Sequence, residues 1–256
     1  MTTDTTAIMQ SLVAMSRELG RPENDLAMLG EGNTSALLAD DLFLVKASGF
    51  TLREISEQGF VTMQRASAEA LLDSDLHTDA EIAAGMQHTC VGESSRRPSV
   101  EAMMHAYLLG LPGIKFVGHT HPTSVNALLC SVRAEELAQT CLFPDQIVCC
   151  GPSPVFVPYT DPGLSLARMV RERVQAWIEV NDMLPRAILI QNHGLFALGK
   201  TPHEVVSCSL MWSKTARVMI DAISCGGLHP LTDEQVNRIF TRPDEKYREK
   251  ILAGEK

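Results

Sequence analysis

Two histidines close a short apolar run near the middle of the chain. The run covers residues 115–122, with the sequence KFVGHTHP, and it places His119 and His121 two residues apart. If the run is a β-strand, alternate side chains share a face, so both histidines project from the same side. Two imidazoles on a rigid strand supply part of a metal site, because a mononuclear zinc centre uses three protein ligands and one open position. The spacing alone leaves both a metal site and two unrelated histidines open.

A third histidine and a carboxylate are candidates to complete such a site. His193 lies in IQNHG, just past a buried apolar run, which is where α/β enzymes keep catalytic groups. Its distance from His121 in space cannot be derived from spacing. Glu101 lies in PSVE, where we expect Pro98 and Ser99 to start a helix, with Ser99 as its N-cap. Glu101 is then either a solvated carboxylate that the helix dipole stabilises or an acid/base beside a metal. The local sequence favours the solvated carboxylate, because any glutamate in the first turn of a helix is stabilised in this way. The working hypothesis is a metal-dependent enzyme that uses these four residues.

The remaining hydrophobic patterns predict alternating helices and strands. Helical spacing predicts helices at 7–19, 67–72, 99–108, 124–130, 164–180 and 203–225. Apolar runs predict strands at 34–38, 42–46, 147–150, 155–157, 186–191 and 195–198. We therefore expect one α/β domain over residues 1–256, with a core at about 7–225 and a partly helical tail at 228–256.

Composition narrows the partners and the compartment. The chain has 256 residues, of which 45% are hydrophobic, and a net charge of −9, which argues against nucleic acid or an acidic membrane surface as a partner. No apolar run approaches the ~18 residues of a membrane helix, and the first residues lack the pattern of a signal peptide. Seven cysteines without a repeated C-x-x-C spacing are typical of reduced thiols. We expect a cytoplasmic protein that acts on a small molecule.

Small polar turns offer a possible anion pocket. Asn33, the pair Ser48 and Gly49, and Ser99 each lie in a turn whose backbone N–H groups could bind a phosphate. Each turn is weak evidence alone, since such residues occur in turns everywhere. Lys46 could add charge there or be an ordinary lysine at a strand end. The chain has neither a G-x-G-x-x-G motif nor a P-loop.

Taken together, five segments resemble a known family. In chain order they are GNTS at 32–35, KASG at 46–49, PSVE at 98–101, HTHP at 119–122 and NHG at 192–194. They resemble the class II aldolase/adducin family, and most of all the aldolase part of bifunctional rhamnulose-phosphate aldolases. The resemblance spans about residues 7–225, nearly the whole chain.

The resemblance implies a fold and a chemistry. The fold is a three-layer α/β/α domain with a mainly antiparallel central sheet, and the assembly is a homotetramer with sites between subunits. The activity is reversible aldol cleavage of a ketose, in particular a ketose 1-phosphate, through a metal-stabilised enediolate. The implied metal is Zn²⁺ or another divalent ion.

The resemblance also assigns roles to individual residues. It implies a metal held by His119, His121 and His193, with Glu101 as the acid/base. It implies a substrate or phosphate pocket formed by Gly32, Asn33, Lys46, Ser48, Gly49 and Ser99.

One position departs from the family pattern. Sugar-phosphate aldolases of the family usually carry a second serine where this chain has Val100, so one hydroxyl donor of the anion pocket is missing. Other activities on the same metal site therefore stay open: an epimerase, a dehydratase, or a decarboxylase of a hydroxy acid. A non-catalytic scaffold, as in adducin, is the remaining alternative, although the chain retains all three histidines.

Overall fold

The computed structural model describes residues 3–92 and 96–252, and it folds into alternating helices and strands. The strands are β1 (Asn33–Leu37), β2 (Leu42–Lys46), β3 (Phe60–Gln64), β4 (Phe116–Thr120), β5 (Val155–Val157), β6 (Ala187–Ile190) and β7 (Gly194–Gly199). The helices are α1 (Thr3–Leu19), α2 (Arg65–Ala70), α3 (Asp79–His88), α4 (Ala102–Leu109), α5 (Thr123–Leu129), α6 (Ala134–Ala138), α7 (Pro144–Cys150), α8 (Leu164–Asn181), α9 (Pro202–Ser224), α10 (Asp233–Thr241) and α11 (Pro243–Leu252).

The seven strands form one sheet in the order β3-β2-β1-β4-β7-β6-β5. Every neighbouring pair is antiparallel except β5 and β6, which run parallel. The sheet is therefore mixed but mainly antiparallel, as expected. The hairpin between β1 and β2 turns at Asp40 and Asp41, both with positive φ, which short polar residues tolerate in tight turns.

Alternation along the strands gives each face of the sheet its own hydrophobic core. On one face, Phe43, Val117 and Phe196 pack with α4 and α8. On the other face, strand residues such as Leu44 and Leu195 pack with α1, α5 and α9. Because both faces are covered, the strands are apolar on both sides, and the three-layer α/β/α prediction is confirmed.

Two local predictions were wrong. Residues 147–150 form the end of α7 rather than a strand. Pro144 at the first helical position suits a helix start, and a short apolar run does not distinguish a buried helix from a strand. Ser99 does not cap α4, which begins at Ala102 with Glu101 as its N-cap residue. Pro98 instead forms an isolated antiparallel bridge with Ala47, and residues 100 and 101 form a turn, in which the Ala102 N–H donates to the Ser99 carbonyl at 3.0 Å.

The C-terminal region adds two helices to the domain. Val236 of α10 packs with Cys141 and with Ile147 of α7 in a small cluster of its own, and Arg248 of α11 forms an ion pair with Asp145. Both helices lie within the region 228–256 that was expected to form a partly helical tail, and residues 253–256 lie outside the described part. Within the described ranges, no helix combines the length and hydropathy that a bilayer crossing needs.

The strand register brings distant parts of the chain to one edge of the sheet. Asn33 at the start of β1 pairs with His119 near the end of β4, and His119 pairs with Phe196 in β7. Gly194 at the start of β7 pairs with Ile190 at the end of β6. The candidate site residues are therefore placed by the three central strands and by the loops that leave them.

Candidate metal centre

His119, His121 and His193, here called the histidine triad, converge at this edge. Their possible ligand nitrogens all lie within 4.8 Å of one another. The ring centroids are 4.7 Å apart for His119 and His121, 5.0 Å for His119 and His193, and 5.1 Å for His121 and His193. The structure thus brings together three imidazoles whose proximity the spacing could not establish.

His119 is held rigidly by strand β7. Its Nδ1 lies 3.0 Å from the carbonyl oxygen of Leu195, and its ring stacks on Phe196 with a centroid distance of 4.1 Å. A carbonyl accepts only, so Nδ1 carries the proton and Nε2 keeps its lone pair. A hydrogen bond from the ring nitrogen that does not bind the metal fixes the orientation and tautomer of a metal-binding histidine.

His121 and His193 are positioned by loops rather than by strands. β4 ends at Thr120, so His121 lies one residue beyond the strand that was expected to carry both histidines, and its backbone N–H donates to the Leu26 carbonyl at 2.8 Å. His193 lies in the tight turn between β6 and β7, where its N–H donates to the Ile190 carbonyl at 3.1 Å. Asn192 precedes it with a φ of +56°, a left-handed conformation that asparagine tolerates.

The environment keeps the triad neutral. Burial is the largest cause that lowers the pKa of all three histidines, and for His119 the neighbouring His121 and His193 lower it further. Neutral imidazoles with convergent nitrogens are the donor set that zinc and other divalent transition metals accept. The residues therefore fit a divalent metal on chemical grounds, although the choice among metals does not follow from them.

Glu101 completes the cluster from the N-terminus of α4. Its Oε2 lies 3.4 Å from Nε2 of His119, and its Oε1 lies 3.3 Å from Nε2 of His193. The residue is only 6% exposed, so it is not the solvated carboxylate that local sequence favoured. Burial raises the pKa of its carboxyl group, against the lowering effects of His193, Asn33 and Lys46. Oε1 is buried without a hydrogen-bond partner.

Two further polar residues reach Glu101 through Asn33. The Asn33 Nδ2 donates to Glu101 Oε2 at 2.6 Å, and the Asn33 Oδ1 accepts a short hydrogen bond from Nε2 of His105. On the far side of the His105 ring, Nδ1 lies 2.6 Å from the Ser35 hydroxyl. Neither His105 nor Ser35 was predicted to be a site residue. The i, i+4 spacing of Glu101 and His105 was the signal that could have linked His105 to Glu101.

The remaining expected pocket residues also lie near this edge. Segments 46–48 and 97–99 are paired: the Ser99 N–H donates to the Lys46 carbonyl at 3.1 Å, and the Ser48 hydroxyl donates to the Pro98 carbonyl at 3.1 Å. The Lys46 ammonium donates to the Gly30 carbonyl at 3.3 Å, which connects this pair to the loop that contains Gly32. Lys46 is 4% exposed, and burial lowers its pKa.

Glycines and Val100 shape the rim of this region. A Cβ on Gly32 would come 2.6 Å from the His119 carbonyl oxygen, so the chain passes too close there for a side chain. Gly49, in contrast, has a φ of +90° and open space around its Cα. Val100 is 58% exposed and adds no hydroxyl to the region.

One protein family matches this chain over most of its length. The model of the class II aldolase and adducin N-terminal domain matches residues 10–220, which is most of the chain. Among curated proteins, the uncharacterized oxidoreductase YuxG of Bacillus subtilis (strain 168) is 26% identical over 261 residues, covering 96% of this chain and 33% of that protein. The chain thus spans about one third of the length of this curated relative.

Solved structures show the same architecture. The N-terminal class II aldolase domain of a conserved protein from Thermoplasma acidophilum is 25% identical with a TM-score of 0.67, covering 83% of this chain and 93% of that one. An L-fuculose 1-phosphate aldolase is 21% identical with a TM-score of 0.69, covering 95% and 97%. YgbL from Escherichia coli is 19% identical with a TM-score of 0.68, covering 92% and 98%. The last two likenesses concern the fold alone.

Proposed function

Because the chain belongs to the class II aldolase/adducin family, we propose that it is a metal-dependent lyase that reversibly cleaves an aldol bond in a ketose. The proposed substrate is a ketose 1-phosphate. The proposed metal is zinc, held by His119, His121 and His193, and the proposed acid/base is Glu101.

One observation carries this proposal. A buried carboxylate lies 3.3 Å and 3.4 Å from two of three converging imidazoles, and one of its oxygens has no hydrogen-bond partner. A purely structural glutamate would be expected to have both oxygens satisfied, because an unpaired buried oxygen costs free energy. An oxygen left free beside a metal-binding cluster is instead suited to transfer a proton to or from a substrate.

The chemistry divides between the metal and the protein. A divalent ion bound by the triad supplies Lewis acidity that draws electron density from a substrate carbonyl. In the cleavage direction, the substrate hydroxyl loses its proton to solvent as the carbon–carbon bond breaks, and Glu101 protonates the carbon that takes the bonding electrons. In the synthesis direction, Glu101 removes that proton from carbon, and the new alkoxide takes a proton from solvent. Burial raises the pKa of this carboxyl group, which makes its ionised form a stronger base and suits it to proton transfer.

The anion pocket is proposed at segments 46–49 and 98–99. The Ser99 oxygen accepts from the Glu101 N–H at 3.3 Å, so its own hydroxyl proton remains for a ligand. The buried Lys46 ammonium supports the same role, since it adds positive charge near Glu101. Gly49 completes the proposal as a position where a substrate can approach the backbone closely, whereas Gly32 belongs to the proposed pocket through the loop that packs against the His119 carbonyl.

Deuterium exchange into dihydroxyacetone phosphate tests the proposal directly. The protein is incubated with this ketose phosphate in D₂O, and exchange is followed by NMR before and after chelation and zinc addition. We expect exchange that chelation abolishes and zinc restores. The Glu101→Gln variant should bind zinc but lose exchange, whereas His203→Gln, at an ordinary position in α9, should behave as wild type. Zinc-loaded protein without exchange would contradict an aldolase acting through dihydroxyacetone phosphate.

A second activity on the same metal centre is supported by Val100. A missing hydroxyl and an amide of Asn33 that is engaged with Glu101 both weaken the case for a phosphate. The substrate would then carry a carboxylate, or neither a carboxylate nor a phosphate. The corresponding activities are those of an epimerase, a dehydratase or a decarboxylase of a hydroxy acid. YgbL is described with three alternative activities, aldolase, epimerase and decarboxylase. Exchange at the carbon beside a hydroxy-acid carboxylate, without exchange into dihydroxyacetone phosphate, would favour this reading.

The assembly and the extent of the domain are also proposals. We infer a cytoplasmic homotetramer built from a single domain over residues 1–256, with a neighbouring subunit near each site. Exposed apolar side chains support a neighbour there: Leu29 is 89% exposed and Tyr159 is 56% exposed, and both lie on loops that lead to the site. Light scattering after gel filtration measures the mass, and a monomer would contradict the assembly.

A further inference from the structure

A line of four buried polar side chains runs from the interior of the domain to Glu101. Ser35 lies 2.6 Å from Nδ1 of His105, His105 bonds Asn33 through Nε2, and Asn33 lies 2.6 Å from Glu101. Ser35 and His105 are fully buried, and Asn33 and Glu101 are 5% and 6% exposed. The line therefore exchanges little with solvent and is fixed by its own members.

With the Glu101 carboxylate ionised, the chemistry of the groups allows one direction for these hydrogen bonds. An ionised carboxylate only accepts, so the Asn33 amide nitrogen faces Glu101 and the amide oxygen faces His105. His105 must then donate from Nε2, because an amide oxygen cannot donate. Nδ1 of the neutral ring is left as an acceptor, and the Ser35 hydroxyl donates to it. Each donor meets an acceptor along the whole line.

We propose that His105 is a positioning residue, which fixes the Asn33 amide so that Glu101 binds it through Oε2 and keeps Oε1 free for the substrate proton. The expected effect of His105 on the reaction rate rests on the proposed function, whereas the hydrogen-bonded arrangement of His105, Asn33 and Glu101 does not. Asn33 is in this view a partner of Glu101 rather than a phosphate ligand.

The two oxygens of Glu101 show why such a device matters. Oε2 accepts from Asn33, while Oε1 is buried without a partner and lies 3.3 Å from His193. Rotation of the carboxylate would exchange these environments unless Asn33 is held. A reversed Asn33 amide would place its oxygen against the carboxylate, and the Nε2–H of His105 prevents that reversal. His105 stays neutral at working pH, because burial lowers its pKa to about 3.

Two substitutions of His105 separate positioning from packing. His105→Gln keeps an N–H donor for Asn33, whereas His105→Leu removes it. The matched control is Ser16→Ala, which breaks another buried hydrogen bond to β1, between Ser16 and Thr34 at 2.7 Å, on the other face of the sheet. Groups that orient the residues of a metal centre typically contribute about 10–100-fold to activity.

The kinetic readout is zinc-dependent exchange into dihydroxyacetone phosphate. For His105→Leu we expect kcat to fall by about 10–100-fold with KM nearly unchanged. His105→Gln should recover most of that loss, and Ser16→Ala should lower stability without lowering kcat. Equal kcat values for His105→Leu and wild type would overturn the proposal, as would a His105→Gln variant as impaired as His105→Leu.

A spectroscopic readout tests the arrangement without any activity. Long-range ¹H–¹⁵N correlation of histidine-labelled protein reports the ring tautomer, and we expect His105 as the Nε2–H form. The side-chain amide resonance of Asn33 should shift in His105→Leu but not in Ser16→Ala. An Nδ1–H tautomer, or an unshifted amide, would overturn the proposal. If wild type exchanges no deuterium, the aldolase proposal fails while this readout still decides the role of His105.

Discussion

Gly194, the residue after the third histidine, should be essential for metal binding because no side chain fits at its position. A Cβ at Gly194 would lie 2.6 Å from the Thr120 carbonyl oxygen, 2.7 Å from Cδ2 of His121 and 3.2 Å from Cε1 of His119. The Gly194→Ala substitution therefore forces the triad apart. It does so without removing a ligand or changing a charge.

The size of the effect follows from these distances. Ordinary van der Waals contact begins near 3.4 Å, so the His121 ring must move by about 0.7 Å to accept the methyl group. Displacing a group in an organised site by about 1 Å costs on the order of 100-fold in function. We expect zinc affinity to fall by about 10–100-fold, and overpacking to lower the free energy of unfolding by about 1–3 kcal/mol.

Gly118 provides a matched control on the opposite face of the sheet. A Cβ there would lie 2.6 Å from Cγ1 of Val205 and 3.0 Å from Cδ1 of Leu19, both side-chain atoms remote from the histidine rings. Gly118→Ala should lose a similar amount of stability while keeping wild-type zinc affinity. Competition against a chromophoric chelator measures affinity, and urea unfolding measures stability. Wild-type zinc affinity in Gly194→Ala would refute the reasoning.

Three further predictions concern metal, pH and anion binding. Zinc at 100 times its dissociation constant should raise the free energy of unfolding by about 2.7 kcal/mol, and a urea midpoint that zinc does not move would contradict a folded-state site. Metal-free protein should lose stability as pH falls below the usual histidine value of 6.5, because burial lowers the pKa of His105 and of the triad, so the unfolded chain binds more protons there. Each such histidine lowers the free energy of unfolding by up to about 1.4 kcal/mol for each pH unit of acidification. Glu101, whose pKa is raised, acts in the opposite direction, but it takes up only one proton. Equal urea midpoints at pH 7.5 and 5.5 would contradict this prediction. Val100→Ser should lower the KM for dihydroxyacetone phosphate by about tenfold, because one added hydrogen bond to a charged group strengthens binding by about that factor. An unchanged KM would mean that the phosphate binds elsewhere.

The sequence predicted the fold better than it predicted the site. Strong patterns gave β1, β2 and α9 nearly at their observed bounds, because periodicity reports burial on a face directly. The strand at 147–150 was wrong, because a four-residue apolar run has no period of its own. The burial of Glu101 was missed for another reason: whether a carboxylate lies in solvent or against His119 depends on packing between α4 and a distant strand, which local sequence does not encode.

The contacts of Asn33 and His105 also depend on packing between distant segments, and they bear on which residues of the proposed pocket can bind an anion. The family resemblance implies Asn33 as a phosphate ligand, yet its amide bonds Glu101 on one side and His105 on the other. Under the proposed function, recognition of an anion then depends on Lys46 and Ser99, and the Ser99 hydroxyl oxygen also accepts the backbone N–H of Glu101. In that proposal, the carboxylate that transfers the proton and the groups that bind the anion are different side chains. A substitution at the exposed position 100 can change which anion binds while the buried line to Glu101 stays intact.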